Sequence, residues 1–163
     1  MKTLFLLAIS LILAACAGNS QTLQNQNLAD IDTELMALDL QNHDPFSARL
    51  HLLDAETAAP NDPEVWVGEG YFDEAMDDPS GAEAAYTEAI HLAPQDSNVE
   101  DQYGRFLYQE GQYQAALSYF EKAGANPQNA VAVEADENAG FAAEKLKETT
   151  LAQTYFAKAE AGG

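Results

Sequence analysis

The sequence predicts an all-α fold built from about four helical repeats. Alanine, a strong helix former, is the commonest residue, at 30 of 163 positions. Proline and alanine recur at one constant interval, between Pro60 and Pro94 and along Ala55, Ala89 and Ala123. The hydrophobic fraction of 47% is high enough for a chain with a net charge of −20 to bury a core. Together these features indicate stacked helix pairs.

The segment before Cys16 has the pattern of a secretory signal peptide that precedes a lipid-anchored cysteine. Lys2 supplies one positive charge, and the run from Leu4 to Ala15 is apolar except for Ser10. This run is too short for a permanent membrane span, which needs about 20 residues. It ends in Leu-Ala-Ala-Cys, which resembles the lipobox of bacterial lipoproteins. The resemblance implies cleavage after Ala15 and acylation of Cys16, the only cysteine.

A lipid on Cys16 would hold the protein at a membrane. Ala17 follows the cysteine, and by resemblance to enterobacterial sorting this favours the periplasmic face of the outer membrane. An ordinary signal peptide with a chance cysteine and an uncleaved anchor remain as alternatives. Residues 16–28 have no charge and little apolar content, so we expect a flexible tether between the lipid and a domain at residues 29–163.

The interval between these prolines and between these alanines is 34 residues. This is the period of tetratricopeptide repeats, each of which is a pair of antiparallel helices. It gives repeats at residues 29–62, 63–96, 97–130 and 133–163, with two inserted residues before the fourth. The second repeat carries most of the residues that mark the family, namely Trp66, Gly70, Ala82, Tyr86, Ala89 and Pro94. The first repeat is degenerate and has Met36 where the small glycine is expected.

Caps and helix-terminating residues place the helices within this register. Asn61-Asp62-Pro63 is typical of a helix start, and Gly111 and Gly124 are expected to follow helix ends. The predicted helices lie near residues 29–41, 45–58, 63–76, 80–92, 97–110, 113–123, 133–146 and 149–160. They predict a superhelical tetratricopeptide solenoid whose inner groove is lined by the first helix of each repeat.

Charge and composition argue against several functions. A net charge of −20 disfavours binding to nucleic acids and to anionic lipid headgroups, because a polyanion cannot neutralise phosphates. The three histidines, His43, His51 and His91, fall in a turn or at helix surfaces and helix ends, outside any catalytic or metal-binding motif. We therefore expect no metal, no cofactor and no enzyme activity, with a periplasmic enzyme as the remote alternative.

The inner groove is the predicted binding surface. Its expected lining combines aromatic and acidic side chains with one arginine, which favours a basic or amphipathic protein segment as ligand. The partner-binding residues predicted from their places in the repeats are Tyr71, Asp101, Arg105, Tyr108, Glu137 and Phe141. Val67 and Tyr71 stand where the chaperone-tail clamps of this superfamily need lysine and asparagine, so capture of a C-terminal carboxylate is not expected.

The stretch from Asn98 to Ala123, NVEDQYGRFLYQEGQYQAALSYFEKA, resembles the central repeat of the type IV pilus biogenesis lipoproteins PilF and PilW, which are called pilotins. The segments GAEAAYTEAIHLAPQDS and ENAGFAAEKLKETTLAQTYFAKA resemble the same family. Asp101-Gln102 stands where the family usually has an asparagine pair. The resemblance implies a role in assembling the outer-membrane secretin, and it adds Gln102 to the expected binding face.

These observations predict an outer-membrane lipoprotein adaptor in type IV pilus biogenesis, with the pilus secretin as its protein partner. The alternative is a lipoprotein scaffold for periplasmic cell-wall enzymes or for another envelope complex. Self-association through the C-terminal repeat is also expected. We expect a second copy or a helix of the partner to cover the outer side of the last helix, which carries Leu151, Tyr155 and Phe156.

Overall fold

The computed structural model describes residues 2–125 and 128–162, with side chains from residue 22 onward. Within these ranges the chain forms eight α-helices and no strand. The helices are α1 (Lys2–Gln41), α2 (Pro45–Ala58), α3 (Pro63–Ala75), α4 (Pro79–Leu92), α5 (Ser97–Gln109), α6 (Tyr113–Ala123), α7 (Ala132–Lys145) and α8 (Thr149–Gly162). The predicted all-α tetratricopeptide fold is confirmed, and α2 to α8 begin and end within two residues of their predicted bounds.

The first helix is longer than predicted. It begins at Lys2, so residues 16–28 continue a helix where a flexible tether was expected. The physical reason is that this stretch has no proline and only one glycine, Gly18, while its alanine, leucine and glutamine residues favour helix. The side chain of Cys16 lies outside the described part of the chain. Among the helices whose residues are described, none is long and apolar enough to cross a membrane.

The chain forms two compact units, and the boundary lies between Pro60 and Asn61, two residues before the predicted end of the first repeat. In the first unit α1 packs against α2, and both Met36 and Leu52 are buried. In the second unit the helices pair as α3 with α4, α5 with α6 and α7 with α8. Contacts of α5 with α4 and of α6 with α7 then join the three pairs.

Aspartate caps fix the starts of four helices, α2 to α5, at the spacing of the repeat. Asp44 and Asp78 each precede the proline that begins α2 or α4, and each carboxylate accepts the backbone N–H three residues further on, at 3.1 and 3.0 Å. Asp62 and Asp96 cap α3 and α5 through the N–H two residues on, at 3.1 and 2.9 Å. The side-chain caps satisfy donors that have no partner within the helix.

The turn inside each repeat places one residue in the left-handed region. The φ angles are 60° at His43, 61° at Asp77, 73° at Gly111 and 64° at Lys147. Their spacing follows the repeat and its two-residue insertion. Only the third turn has glycine, the residue that adopts this conformation without steric cost. The residue after the left-handed one closes the turn with a backbone hydrogen bond. In the third turn the N–H of Gln112 donates to the Leu107 carbonyl at 2.8 Å.

Each helix pair of the second unit is closed by a glycine that lies against an aromatic ring. The pairs are Gly70 with Tyr86, Gly104 with Phe120, and Gly140 with Phe156. A Cβ atom added to Gly104 would lie only 2.7 Å from the Phe120 ring, closer than carbon atoms approach. Glycine is therefore required at this place because the ring occupies the space of a side chain. The small residue at this place in the repeat lets the two helices approach closely.

The same aromatic residues also fill the space between repeats. The ring of Tyr86 lies 5.9 Å from that of Tyr103 and 5.3 Å from that of Phe106, both on the first helix of the next repeat. In the last repeat Leu151 and Tyr155 are partly buried against the core of the unit. The large apolar side chains of α8 therefore pack inward, and self-association through this helix stays a prediction.

We expect Gly104→Leu to destabilise the protein far more than Gly111→Ala. Leucine at position 104 would collide with the Phe120 ring, and overpacking of this kind costs about 1 to 3 kcal/mol or more. Gly111 has no atom within 4 Å of an added Cβ, so alanine there costs only the left-handed conformation, about 1 kcal/mol. Urea unfolding monitored by circular dichroism measures both changes.

A double-mutant cycle is the control for this contact. Gly104→Ala and Phe120→Leu should each destabilise the protein. The double variant should be more stable than the sum of the two losses predicts, because leucine at position 120 leaves room for the added methyl group. The first repeat already has two aliphatic residues, Met36 and Leu52, at the equivalent places, and both are buried. Strict additivity would mean that the contact does not set the helix spacing.

Candidate functional site

An open cleft of about 160 Å³ lies on the second unit where the third and fourth repeats meet. We call it the α5–α7 cleft. Its lining residues are Arg105, Tyr108 and Gln109 on α5, Phe120 on α6, and Asn138 and Phe141 on α7. The cleft therefore combines three aromatic rings with two side-chain amides and one guanidinium group.

The apolar part of the cleft is held by the packing of the helix pairs. Phe120 is 1% exposed and forms a buried part of the lining, where it also fills the space beside Gly104. Phe141 is 49% exposed, and its ring meets that of Phe156 edge-on with the centroids 5.2 Å apart. A large exposed ring that is supported by a second ring is suited to contact an apolar side chain of a partner, since it loses little freedom on binding.

Asn138 is oriented by a buried carboxylate. Its Nδ2 donates to Oδ1 of Asp101 at 3.1 Å, which joins α7 to α5. Asp101 is only 3% exposed, and this burial raises its pKa, although the hydrogen bond from Asn138 and the charge of Arg105 act in the opposite direction. Asp101 therefore lies beneath the surface, where it cannot serve as the direct partner contact predicted. It holds Asn138 at the edge of the cleft instead.

Arg105 provides a positive charge in acidic surroundings. Its guanidinium NH1 lies 3.6 Å from Oε1 of Glu134, and both side chains are about half exposed. Its charge also opposes the rise in pKa that burial causes at Glu74, whose carboxylate accepts the Tyr86 hydroxyl at 2.5 Å. An exposed ion pair of this kind is worth little by itself, so Arg105 can exchange Glu134 for a group on a ligand at small cost.

The structure brings together only part of the predicted binding face. Arg105, Tyr108 and Phe141 line the cleft, and their contact with a partner stays a prediction. Tyr71 is 42% exposed on α3 and Glu137 is exposed on α7, but neither belongs to the lining. Gln102 is partly buried on α5 and also lies outside the lining.

The predicted binding face lacks three of the lining residues, namely Gln109, Phe120 and Asn138. The place of Phe120 in the repeat is that of a core aromatic, which predicts packing between helices and no surface role. Asn138 occurs beside Glu137 in the segment that resembles the pilus family, and nothing else in the sequence marks it. Asn138 and Asp101 are 37 residues apart, and this separation differs from the period of the repeat. Because the insertion before α7 shifts the register, the period does not predict this pair.

Comparison with solved structures identifies proteins of similar fold. PilF of Pseudomonas aeruginosa superposes with a TM-score of 0.79 at 21% identity, over 86% of this chain and 63% of PilF. PilW, described as a widely conserved type IV pilus biogenesis factor, gives 0.74 at 22% identity, over 82% of this chain and 61% of PilW. MamA gives 0.67 at 19% identity, over 82% of this chain and 77% of MamA.

At these identities the likeness shows a shared tetratricopeptide fold. The chain spans about three fifths of the length of PilF and of PilW. No protein-family model matches the sequence, and no curated protein shows a significant match.

We expect Asp101→Asn to stabilise the protein at neutral pH. Because the pKa of Asp101 is raised above its ordinary value of 3.8, the native state holds this proton more tightly than the unfolded chain. The protonated carboxyl therefore contributes its whole stabilisation at a pH below 3.8, and this stabilisation is lost as the pH rises through the raised pKa. Asparagine removes the buried charge and keeps an acceptor for Asn138.

The difference in urea midpoint between Asp101→Asn and the wild type, measured from acid to neutral pH, tests this expectation. The difference should grow as the pH rises and should vanish in acid. Glu137→Gln, which replaces an exposed carboxylate of α7 by an amide, is the control and should change the urea midpoint little, because no buried group is altered. A wild type that is the more stable protein at neutral pH would show that the Asn138 contact outweighs the cost of burial.

Proposed function

We propose that this protein is an outer-membrane lipoprotein adaptor that acts in type IV pilus biogenesis by binding a protein segment, with the pilus secretin as its partner. The observation that carries the proposal is the α5–α7 cleft, where exposed aromatic surface lies beside amide and guanidinium groups. Tetratricopeptide folds are built from stacked helix pairs that present such surfaces to other proteins.

The chemistry of the cleft favours a short amphipathic segment. Phe141 and Tyr108 offer apolar contact, and the amides of Asn138 and Gln109 can bind the N–H and C=O groups of an extended backbone. The net charge of −20 would attract a segment that also carries basic residues and would speed its association at low salt. Arg105 adds a donor for a carbonyl or carboxylate group in the same segment.

The assignment to pilus biogenesis draws on two kinds of similarity. The segment from Asn98 to Ala123 resembles the central repeat of the PilF and PilW lipoproteins, and it contributes α5 and α6, which line one side of the cleft. PilF and PilW are also among the solved structures with the same fold. Membrane attachment in this proposal rests on the lipobox that ends at Cys16.

We expect Phe141→Ala and Tyr108→Ala to weaken binding to the pilus secretin while leaving the helical content unchanged. The measurement is co-purification of the secretin from detergent-solubilised outer membranes, together with the yield of secretin multimers and surface pili in a deletion strain complemented with each variant. Phe46→Ala is the matched control, because Phe46 is 73% exposed but lies in the first unit.

Outcomes of these experiments separate the parts of the proposal. An equal loss with Tyr71→Ala would extend the site along α3, in agreement with the wider groove predicted from the sequence. Normal secretin multimers and normal pili in the deletion strain would refute the pilus role. Binding that ignores both Phe141→Ala and Tyr108→Ala would refute the cleft as the partner site.

We expect the mature protein to begin at an acylated Cys16. Mass spectrometry of the protein extracted from outer membranes should show an N-terminal peptide with diacylglyceryl and fatty-acyl mass. Two or three acyl chains hold a protein stably because each buried methylene contributes about 0.8 kcal/mol. Cys16→Ser should lose the lipid and leave the membrane fraction, and recovery of wild-type protein with residues before position 16 would contradict the anchor.

A further inference from the structure

The first unit holds a cluster of potential metal ligands between its two helices. Asp32 lies on α1, while His51 and Asp54 lie on α2, and one ligand atom from each falls within 4.8 Å of the others. Asp39 lies two helical turns after Asp32 and faces the second ring nitrogen of His51. We infer that these residues form a zinc-binding site that ties α1 to α2.

The distance between the first two ligands fits a shared ion. Nδ1 of His51 lies 3.4 Å from Oδ1 of Asp32, which is longer than an ordinary N–H···O hydrogen bond. Two ligands of a tetrahedral zinc ion with bonds of about 2.0 to 2.1 Å are separated by about 3.3 to 3.4 Å. Nδ1 of His51 is also shielded from solvent and makes no hydrogen bond. A zinc ion on Nδ1 would satisfy this buried atom.

Asp39 supplies the group that usually supports a zinc-bound histidine. Its Oδ2 lies 3.7 Å from Nε2 of His51, and this oxygen is likewise shielded and without a hydrogen bond. A metal on Nδ1 places the ring proton on Nε2, and histidine ligands generally donate that proton to a carboxylate or carbonyl. A small rotation of either side chain closes the gap. One ion therefore accounts for both unsatisfied atoms.

The ligand types favour zinc over the alkaline-earth ions. Zinc accepts imidazole nitrogen and carboxylate oxygen at the same site, whereas Mg²⁺ and Ca²⁺ prefer oxygen ligands. Asp54 lies one turn after His51 on the same helix and is exposed, so the site is open to solvent on that side. Water can complete the coordination there, and the ion can enter without opening the helix pair.

The expected role of the ion is to strengthen the first unit. The other three repeats are closed by a glycine against an aromatic ring, while this unit has Met36 and Leu52 at those places. A metal bound to Asp32 on one helix and to His51 and Asp54 on the other would link the same two helices. Its binding energy would add to the stability of the folded unit, because the unfolded chain does not preform the site.

The test is titration of the chelator-treated full chain with Zn²⁺, read by calorimetry, by the melting temperature and by the visible absorption of the Co²⁺-loaded protein. We expect saturable binding of one ion per chain, a higher melting temperature and the absorption of a tetrahedral Co²⁺ site. His51→Gln and Asp54→Asn should each abolish saturable binding. Asp39→Asn should weaken it by about 10- to 100-fold.

Controls distinguish this site from general attraction of cations to an acidic protein. His91→Gln should bind zinc as the wild type does, because His91 lies on α4, where it is paired with Glu88, and not at the proposed site. Asp54 is exposed, so we expect Asp54→Asn to fold. The test therefore remains decisive even if His51→Gln fails to fold. Wild-type protein without saturable zinc binding would refute the site. Binding unchanged in Asp54→Asn would refute it as well.

Discussion

The contact between a glycine and an aromatic ring inside each helix pair is the constraint on which the second unit depends. Gly104 lies so close to Phe120 that no side chain could replace its hydrogen, and the equivalent contact recurs in the repeats before and after it. A ring that fills the space of a missing side chain fixes both the distance and the rotation of the two helices. The other face of the ring is then available to the next repeat, as Tyr86 shows against Phe106.

The candidate binding site is a consequence of this packing. Phe120 both faces Gly104 and lines the α5–α7 cleft, so the residue that closes the third repeat also shapes the surface beside it. Phe141 is supported in a similar way by Phe156, the ring that closes the fourth repeat. The polar part is fixed by the hydrogen bond from Asn138 to the buried Asp101. Aromatic surface and amide groups are therefore held in place before any partner arrives, which reduces the entropy lost on binding.

Most of the fold could be predicted from the sequence, because the constant repeat period gives the register of the helices. The helix start at Asp62-Pro63 and the glycines that follow α5 and α6 agree with that register independently. The α1 helix was predicted too short, since a polar stretch without proline can form either a helix or a coil. The burial of Asp101 could not be predicted, because its place in the repeat also suits a groove residue and its partner, Asn138, lies off the period. The cluster around His51 was missed for a related reason, since its ligands come from two helices and follow no local motif.

We propose that the α5–α7 cleft receives the partner. A photo-reactive phenylalanine analogue placed at position 141 in living cells tests it most directly, with the same analogue at the similarly exposed Met76 as reference. Irradiation should link position 141 to the pilus secretin, and position 76 should give little product. A crosslink to the secretin from position 76 alone, or equal crosslinking from both, would contradict it.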